Sequence, residues 1–177
     1  KTNVRIRKPT RPLDPTATWR ATVVTNCGTF TIALDVAASP RTTASFVHLA
    51  RKGFYDGLTF HRIAPRFVIQ GGDPLGAGYG GPGYTIREPP PRATRYVRGV
   101  VAMAKRGSEP SGTSGSQFFI VTAQDARLSP EWALLGRVTD GLEVIDRIDR
   151  LPLRRIDPQG SPPVDPVVIE RVVIRRS

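Results

Sequence analysis

Glycine and proline interrupt this chain throughout, and that punctuation most limits what it can fold into. There are 17 of each among 177 residues. Proline cannot donate a helical hydrogen bond and glycine loses the most backbone freedom on ordering, so long helices are disfavoured. Between the breaks lie short β-rich runs: Trp19 to Asn26, Thr29 to Leu34, Thr59 to Ile63, Phe67 to Gln70, Gly99 to Ala104, Phe118 to Thr122, Trp132 to Val138 and Val167 to Ile174. The first two flank Asn26-Cys27-Gly28, a turn of hairpin type. Phe30, Ile32 and Leu34 alternate, which gives their strand one buried face. Two segments read as helices instead. One opens at Ser39-Pro40, with Ser as N-cap and Pro at the first helical position, and stops at Gly53. The other runs from about Gly141 to Arg150 behind Asp140 as cap, turning Leu142, Ile145 and Ile148 inward. Eight short strands with two helices predict a mostly β fold, a closed eight-stranded antiparallel barrel capped by two α-helices, because closure removes exposed strand edges. The length suits a single domain over 19–177, preceded by a basic, proline-containing tail over 1–18.

Charge and cysteine usage narrow the partners. The formal net charge is +11, with 26 Lys and Arg against 15 Asp and Glu. Such a field attracts anions in general, but the cations are scattered, thickening only at Arg5, Arg7, Lys8, Arg11 and at Arg154, Arg155, Arg171, Arg175, Arg176. No aromatic residues interleave with them, so a base-stacking platform is not indicated and nucleic acid is not the expected partner. One cysteine, Cys27, excludes an internal disulfide and a cysteine-cluster metal site. Two histidines, His48 and His61, make a histidine zinc site unfavourable, and no metal or other cofactor is expected. His48 lies in the first helix and reads as a surface or half-buried helical residue. The chain begins at Lys1, not Met; with the basic start, this leans toward an exported or membrane-anchored bacterial protein, with a cytoplasmic one as the alternative.

Chemistry-bearing residues concentrate in two stretches. Between Phe60 and Asp73, Arg62, Phe67 and Gln70 lie on two predicted strands joined by a Pro65-containing turn. If those strands pair, a fixed cation, an aromatic wall and a neutral amide converge on one face. In the second stretch, Gly112 to Ile120, Gln117 offers another amide, and the adjacent Phe118 and Phe119 must point to opposite faces of a strand. From Gly71 to Gly83, seven of thirteen residues are glycine. The loop lacks the Gly-Lys-Ser/Thr ending of a phosphate cradle, and no strong helix pattern follows it.

These stretches, read as FHR…QGGD and GSQFF, resemble the signature regions of the cyclophilin-type peptidyl-prolyl cis-trans isomerases. The order of elements over about residues 19–174 is similar too, and Asp73-Pro74 with Gly80 to Gly83 looks like the bacterial branch. The resemblance implies an enzyme that accelerates rotation about Xaa-Pro bonds in peptides and in unfolded or folding proteins, without cofactor; a monomer is expected. It implies Arg62 as the catalytic donor and Phe67, Val68, Phe119 and Leu128 as the apolar pocket for the proline ring. Gln70 and Gln117 match amides that bond the substrate backbone and the arginine. Ala104 and Lys105 match the stretch that pairs with the peptide before the proline. His61 is tempting as a general base, but bond rotation needs no proton transfer, and a packed or hydrogen-bonded core histidine is the better reading.

The chain departs from the family pattern at several positions. Val68 stands where Met is common, Lys105 where Asn is common, and Trp132 in the pocket wall where His is common. Arg127 stands where cyclosporin-sensitive members carry Trp, so weak cyclosporin binding is expected. Two other readings stay open on the residues alone. One is a proline-peptide binding module with negligible turnover; the other is a binder of anionic surfaces or nucleic acid, motivated by the charge.

Overall fold

A computed structural model describes residues 5–177; residues 1–4 of the expected tail lie outside the described residues. Strands β1 (Trp19–Thr25) and β2 (Gly28–Leu34) form the expected hairpin. Helix α1 (Pro40–Arg51) follows, then β3 (Arg62–Ala64), β4 (Val68–Gly71), β5 (Ile86–Arg87), β6 (Val100–Met103), β7 (Thr113–Ser114), β8 (Phe118–Val121) and β9 (Leu134–Asp140). Helix α2 (Leu142–Asp149) and β10 (Ile169–Arg176) complete the chain. Eight strands make one antiparallel sheet in the order β10-β1-β2-β9-β6-β8-β4-β3, while β5 and β7 pair separately.

The sheet is an open half-barrel, which corrects the expectation of a closed one. No ladder joins β3 to β10, and the chain before β10 meets the β3 side at single bridges, Ile63 with Ser161 and Thr59 with Val168. The approach to β10 contains Pro162, Pro163 and Pro166, and a residue without an N–H cannot extend a ladder. What remains are isolated bonds, among them the reciprocal Ile63–Ser161 pair at 2.9 and 3.0 Å and Phe60 N–H to the Val167 carbonyl at 2.9 Å.

The first helix starts as expected, with Pro40 at its first position, while the second is capped by a different residue. Ser39 sits at the N-cap of α1, but its side chain makes no capping bond. The Glu88 carboxylate accepts from the N–H groups of Arg41 and Thr42 at 3.1 and 2.8 Å instead, placing a negative charge at the positive end of the helix dipole. At α2 the cap residue is Gly141, not Asp140, and it is left-handed with φ 81°. A Cβ there would lie 2.5 Å from the Thr29 carbonyl oxygen, so the close approach of α2 to β2 requires glycine. Asp140 is the last residue of β9, opposite Thr31.

Two clusters of buried side chains follow from the alternation. The main core holds Phe30, Ile32, Phe46, Phe60, Phe118 and Ile145 among others. A smaller cluster on the other face of the sheet contains Ala64, Val68, Tyr96, Ala102, Phe119 and Val121. The described part of the tail has no helix or strand, yet it is tied down. Ile6 N–H donates to the Pro82 carbonyl at 2.9 Å, Thr18 N–H to the Ser177 carbonyl at 2.8 Å, and Asp14 pairs with Arg176.

Candidate active site

Strand pairing places the first signature stretch. In the β3–β4 ladder Arg62 stands opposite Gln70, and in the β4–β8 ladder Gln70 stands opposite Phe119. Arg62 is half-buried, and its guanidinium is held at two points. Nη1 donates to Gln70 Oε1 at 2.9 Å, and Nε donates to the Gln159 carbonyl at 2.5 Å. Gln70 Nε2 donates onward to Gln117 Oε1 at 2.9 Å, and Gln117 Nε2 to the Gly80 carbonyl at 3.0 Å. Each amide is therefore oriented by the next group. Burial lowers the Arg62 pKa from the usual guanidinium value, and the Asp157 carboxylate offsets part of that; a guanidinium so placed stays a cation.

Beside this relay lies the smaller cluster. Phe118 faces the main core, while Phe119, on the opposite face, is 4% exposed in the smaller cluster. Val68 is buried there, with Phe67, Ala104, Leu128 and Trp132 packed against it. The Phe119 ring meets Trp132 edge-on, 5.7 Å between centroids at 86°, and Tyr96 at 6.3 Å. A cavity of about 440 Å³ adjoins it, lined by Gln70, Gly78 to Thr85, Ala104, Lys105, Arg106, Glu109, Gly115, Ser116 and Gln117. Of the ten expected site residues, Gln70, Ala104, Lys105 and Gln117 thus line the cavity. Phe67, Val68, Phe119, Leu128 and Trp132 form or cover the apolar cluster; Arg62 lines neither and meets the cavity wall through its bond to Gln70. Ala104 donates its N–H to the Gln117 carbonyl at 2.9 Å, so its amide is already committed.

Residues outside the ten expected site positions also matter here. The Gln159 carbonyl that fixes Arg62 comes from 97 positions away in a turn-rich segment, and no local signal marks it. Tyr96 braces Trp132, donating its hydroxyl to the Trp132 carbonyl at 2.6 Å and accepting from the Trp132 N–H at 3.0 Å. Asp73 organises the glycine-rich wall by accepting from the N–H groups of Leu75, Ala77 and Gly78. Burial raises its pKa, but the backbone donors of Leu75, Gly80 and Gly78, with His61, outweigh that and hold the carboxyl below its ordinary value. Gly72, with φ 84°, lets this wall start close to β8, since a Cβ would lie 2.6 Å from the Ser116 carbonyl oxygen. His61 is buried, 8% exposed, and burial lowers its pKa against the opposing pull of Asp73. No group of three or more metal-ligating side chains occurs among the described residues.

Comparison with known proteins places this geometry. The sequence profile described as cyclophilin type peptidyl-prolyl cis-trans isomerase/CLD matches residues 20–174. Peptidyl-prolyl cis-trans isomerase B of Bacillus subtilis is 50% identical over 107 residues, covering 60% of this chain and 73% of that protein. The enzyme of Helicobacter pylori is 40% identical over 131 residues, covering 72% and 78%. Peptidyl-prolyl cis-trans isomerase-like 2 of Cryptococcus neoformans is 37% identical over 160 residues; these cover 87% of this chain but only 27% of that longer protein. Among solved structures, a cyclophilin type isomerase of Cryptosporidium parvum superposes with TM-score 0.79 at 31% identity, covering 89% of this chain and 98% of that one. It was also crystallised in the presence of the dipeptide Ala-Pro, and that structure gives 0.78. A profile match over nearly the whole chain, together with an equally complete structural match, shows that the chain belongs to the cyclophilin-type peptidyl-prolyl cis-trans isomerase family.

Proposed function

We propose that this chain accelerates rotation about Xaa-Pro bonds, with Arg62 as the catalytic donor beside an apolar pocket for the proline ring. The observation that carries the reading is the fixed guanidinium: Arg62 spends Nε on Gln159 and one Nη1 proton on Gln70, and Nη2, with no hydrogen-bond partner among the described residues, is the donor for a substrate. The unaided barrier is about 18–20 kcal/mol. As the imide twists, resonance is lost and the prolyl nitrogen gains a free lone pair. A donor held where that lone pair develops bonds to the transition state and not to the planar imide, so the interaction lowers the barrier without tightening the ground state. An acceleration of about five decades corresponds to roughly 7 kcal/mol of such differential stabilisation.

In this reading Phe67, Val68, Phe119, Leu128 and Trp132 seat the ring. Gln70 and Gln117 bind the substrate backbone and orient Arg62, and the main chain of Ala104 and Lys105 meets the residues before the proline. The 50% identity to the Bacillus subtilis relative over 107 residues, with the Asp73-Pro74 and Gly80 to Gly83 sequences, supports a place in the bacterial branch of the family.

Since no proton moves, the pH profile tests the mechanism. Arg62 stays charged, and His61, its pKa lowered by burial, stays neutral above its ordinary value of about 6.5. In an assay of Xaa-Pro peptide isomerisation, kcat/KM is expected to be flat from pH 7 to 9; a fall of tenfold or more within that window would overturn the assignment. Stability behaves differently. The folded state resists protonating His61, so the unfolded state binds more protons below about pH 6.5, and stability falls as pH drops from there toward the folded pKa.

Cyclosporin is expected to inhibit weakly. Arg127 is exposed, with a left-handed backbone at φ 52° and its N–H on Asp125 Oδ1 at 2.9 Å. A nanomolar inhibition constant would contradict this.

A further inference from the structure

The two departures in the groove and pocket wall, Lys105 and Trp132, touch each other. The Lys105 ammonium lies over the Trp132 ring, 4.9 Å from its centroid. The lysine side chain is only 3% exposed, although it leaves from a loop at the edge of the groove. Its Nζ donates to the Glu109 carbonyl at 3.1 Å and to the Arg106 carbonyl at 3.5 Å, and it pairs with the Glu131 carboxylate at 3.5 Å. A buried ammonium is tolerated only when its donors and charge are met, and here every partner comes from the groove loop or the pocket wall. Trp132 is held on its other sides as well: Phe119 packs against it edge-on, and Tyr96 bonds its backbone N–H and carbonyl. One cation thus ties Arg106 and Glu109, which line the cavity, to the indole that walls the apolar cluster.

We propose that Lys105 is a positioning residue: its ammonium clamps the Trp132 indole in the pocket wall and locks the 105–109 loop to it, coupling binding of the proline ring to binding of the residues that precede it. This rests on the proposed isomerase reading. The clamp acts on the shape of the empty site, so it sets how well the peptide binds more than how fast the bound imide rotates.

The test combines kinetics with a signal from Trp132 itself. The chain has two tryptophans, so Trp19→Phe leaves Trp132 as the only one, and excitation at the red edge of the absorption band selects it over the tyrosines. In that background Lys105→Met is expected to raise acrylamide quenching of Trp132 at least twofold, and Lys105→Arg to restore it. For the tetrapeptide Ala-Ala-Pro-Phe, Lys105→Met should raise KM about tenfold, the loss of one desolvated cation–π contact, with kcat within twofold of the parent. In a Trp132→Leu background the same change should alter KM by less than twofold. Unchanged KM in Lys105→Met, or an equal effect when Trp132 is absent, overturns the proposal. Should the parent protein prove inactive, the isomerase reading falls, and the Kd of the same peptide takes the place of KM with the same expected ratios. If Trp19→Phe does not fold, the KM comparison in the otherwise unchanged protein decides alone.

Discussion

Arg62→Ala is expected to lower kcat/KM for Xaa-Pro isomerisation by about 100- to 1,000-fold, the usual cost of deleting one donor aimed at developing charge. The loss should fall in kcat, because the guanidinium bonds best to a nitrogen that exists only in the twisted imide. Peptide affinity should change little. The fold should survive, because Arg62 is half-buried and its removal leaves Gln70 Oε1 and the Gln159 carbonyl beside a surface that water can reach. Arg62→Lys discriminates further. An ammonium keeps the charge but lacks the planar fork that meets Gln159 and Gln70 while leaving Nη2 for substrate, so it should recover little of the lost activity. Stopped-flow isomerisation with a thermal melt on each variant checks both points, and a rate within threefold of the parent would remove Arg62 from the mechanism.

The second large effect belongs to the pocket. Phe119 is buried between Tyr96 and Trp132 and stands opposite Gln70 on one neighbouring strand and Ala102 on the other. Phe119→Ala empties the middle of the smaller cluster. We expect about 3–5 kcal/mol of lost stability from the cavity and a peptide affinity weakened about thirtyfold or more, as for a central aromatic anchor. Phe118→Ala is the control. Its ring is equally buried but meets Phe46, Tyr55 and Phe60 in the main core. It should cost similar stability and leave the affinity of the folded protein within a few-fold of the parent. Denaturant melts with peptide titrations separate the two, and equal affinity losses would show that Phe119 does not face the ligand.

That contrast between neighbours was legible in the sequence, because side-chain alternation along a strand is a local rule. The Arg62–Gln70 pairing was legible only in part: the residues placed both on runs joined by a proline turn, and the bond between them was implied by the family resemblance. The eight strands and two helices also emerged from local signals, although β5 and β7 are too short for any periodicity to mark them. What stayed hidden depends on distant chain. The Glu88 cap of α1 and the Gln159 carbonyl on Arg62 come from loops with no pattern of their own. The open edge of the sheet reflects prolines whose effect on a ladder appears only once its partner strand is known. Lys105 and Trp132 read as two separate substitutions in the family pattern; their contact is a fact of the tertiary structure.

Whether Xaa-Pro rotation happens on the protein is read by NMR exchange between the cis and trans forms of a proline peptide held in excess over the unaltered protein. Free, the two forms interchange over tens to hundreds of seconds. Interchange on the bound peptide is expected to run faster than about a hundred times per second. Saturating binding with interchange no faster than in free solution would contradict the isomerase reading and leave a module that holds proline without turning it.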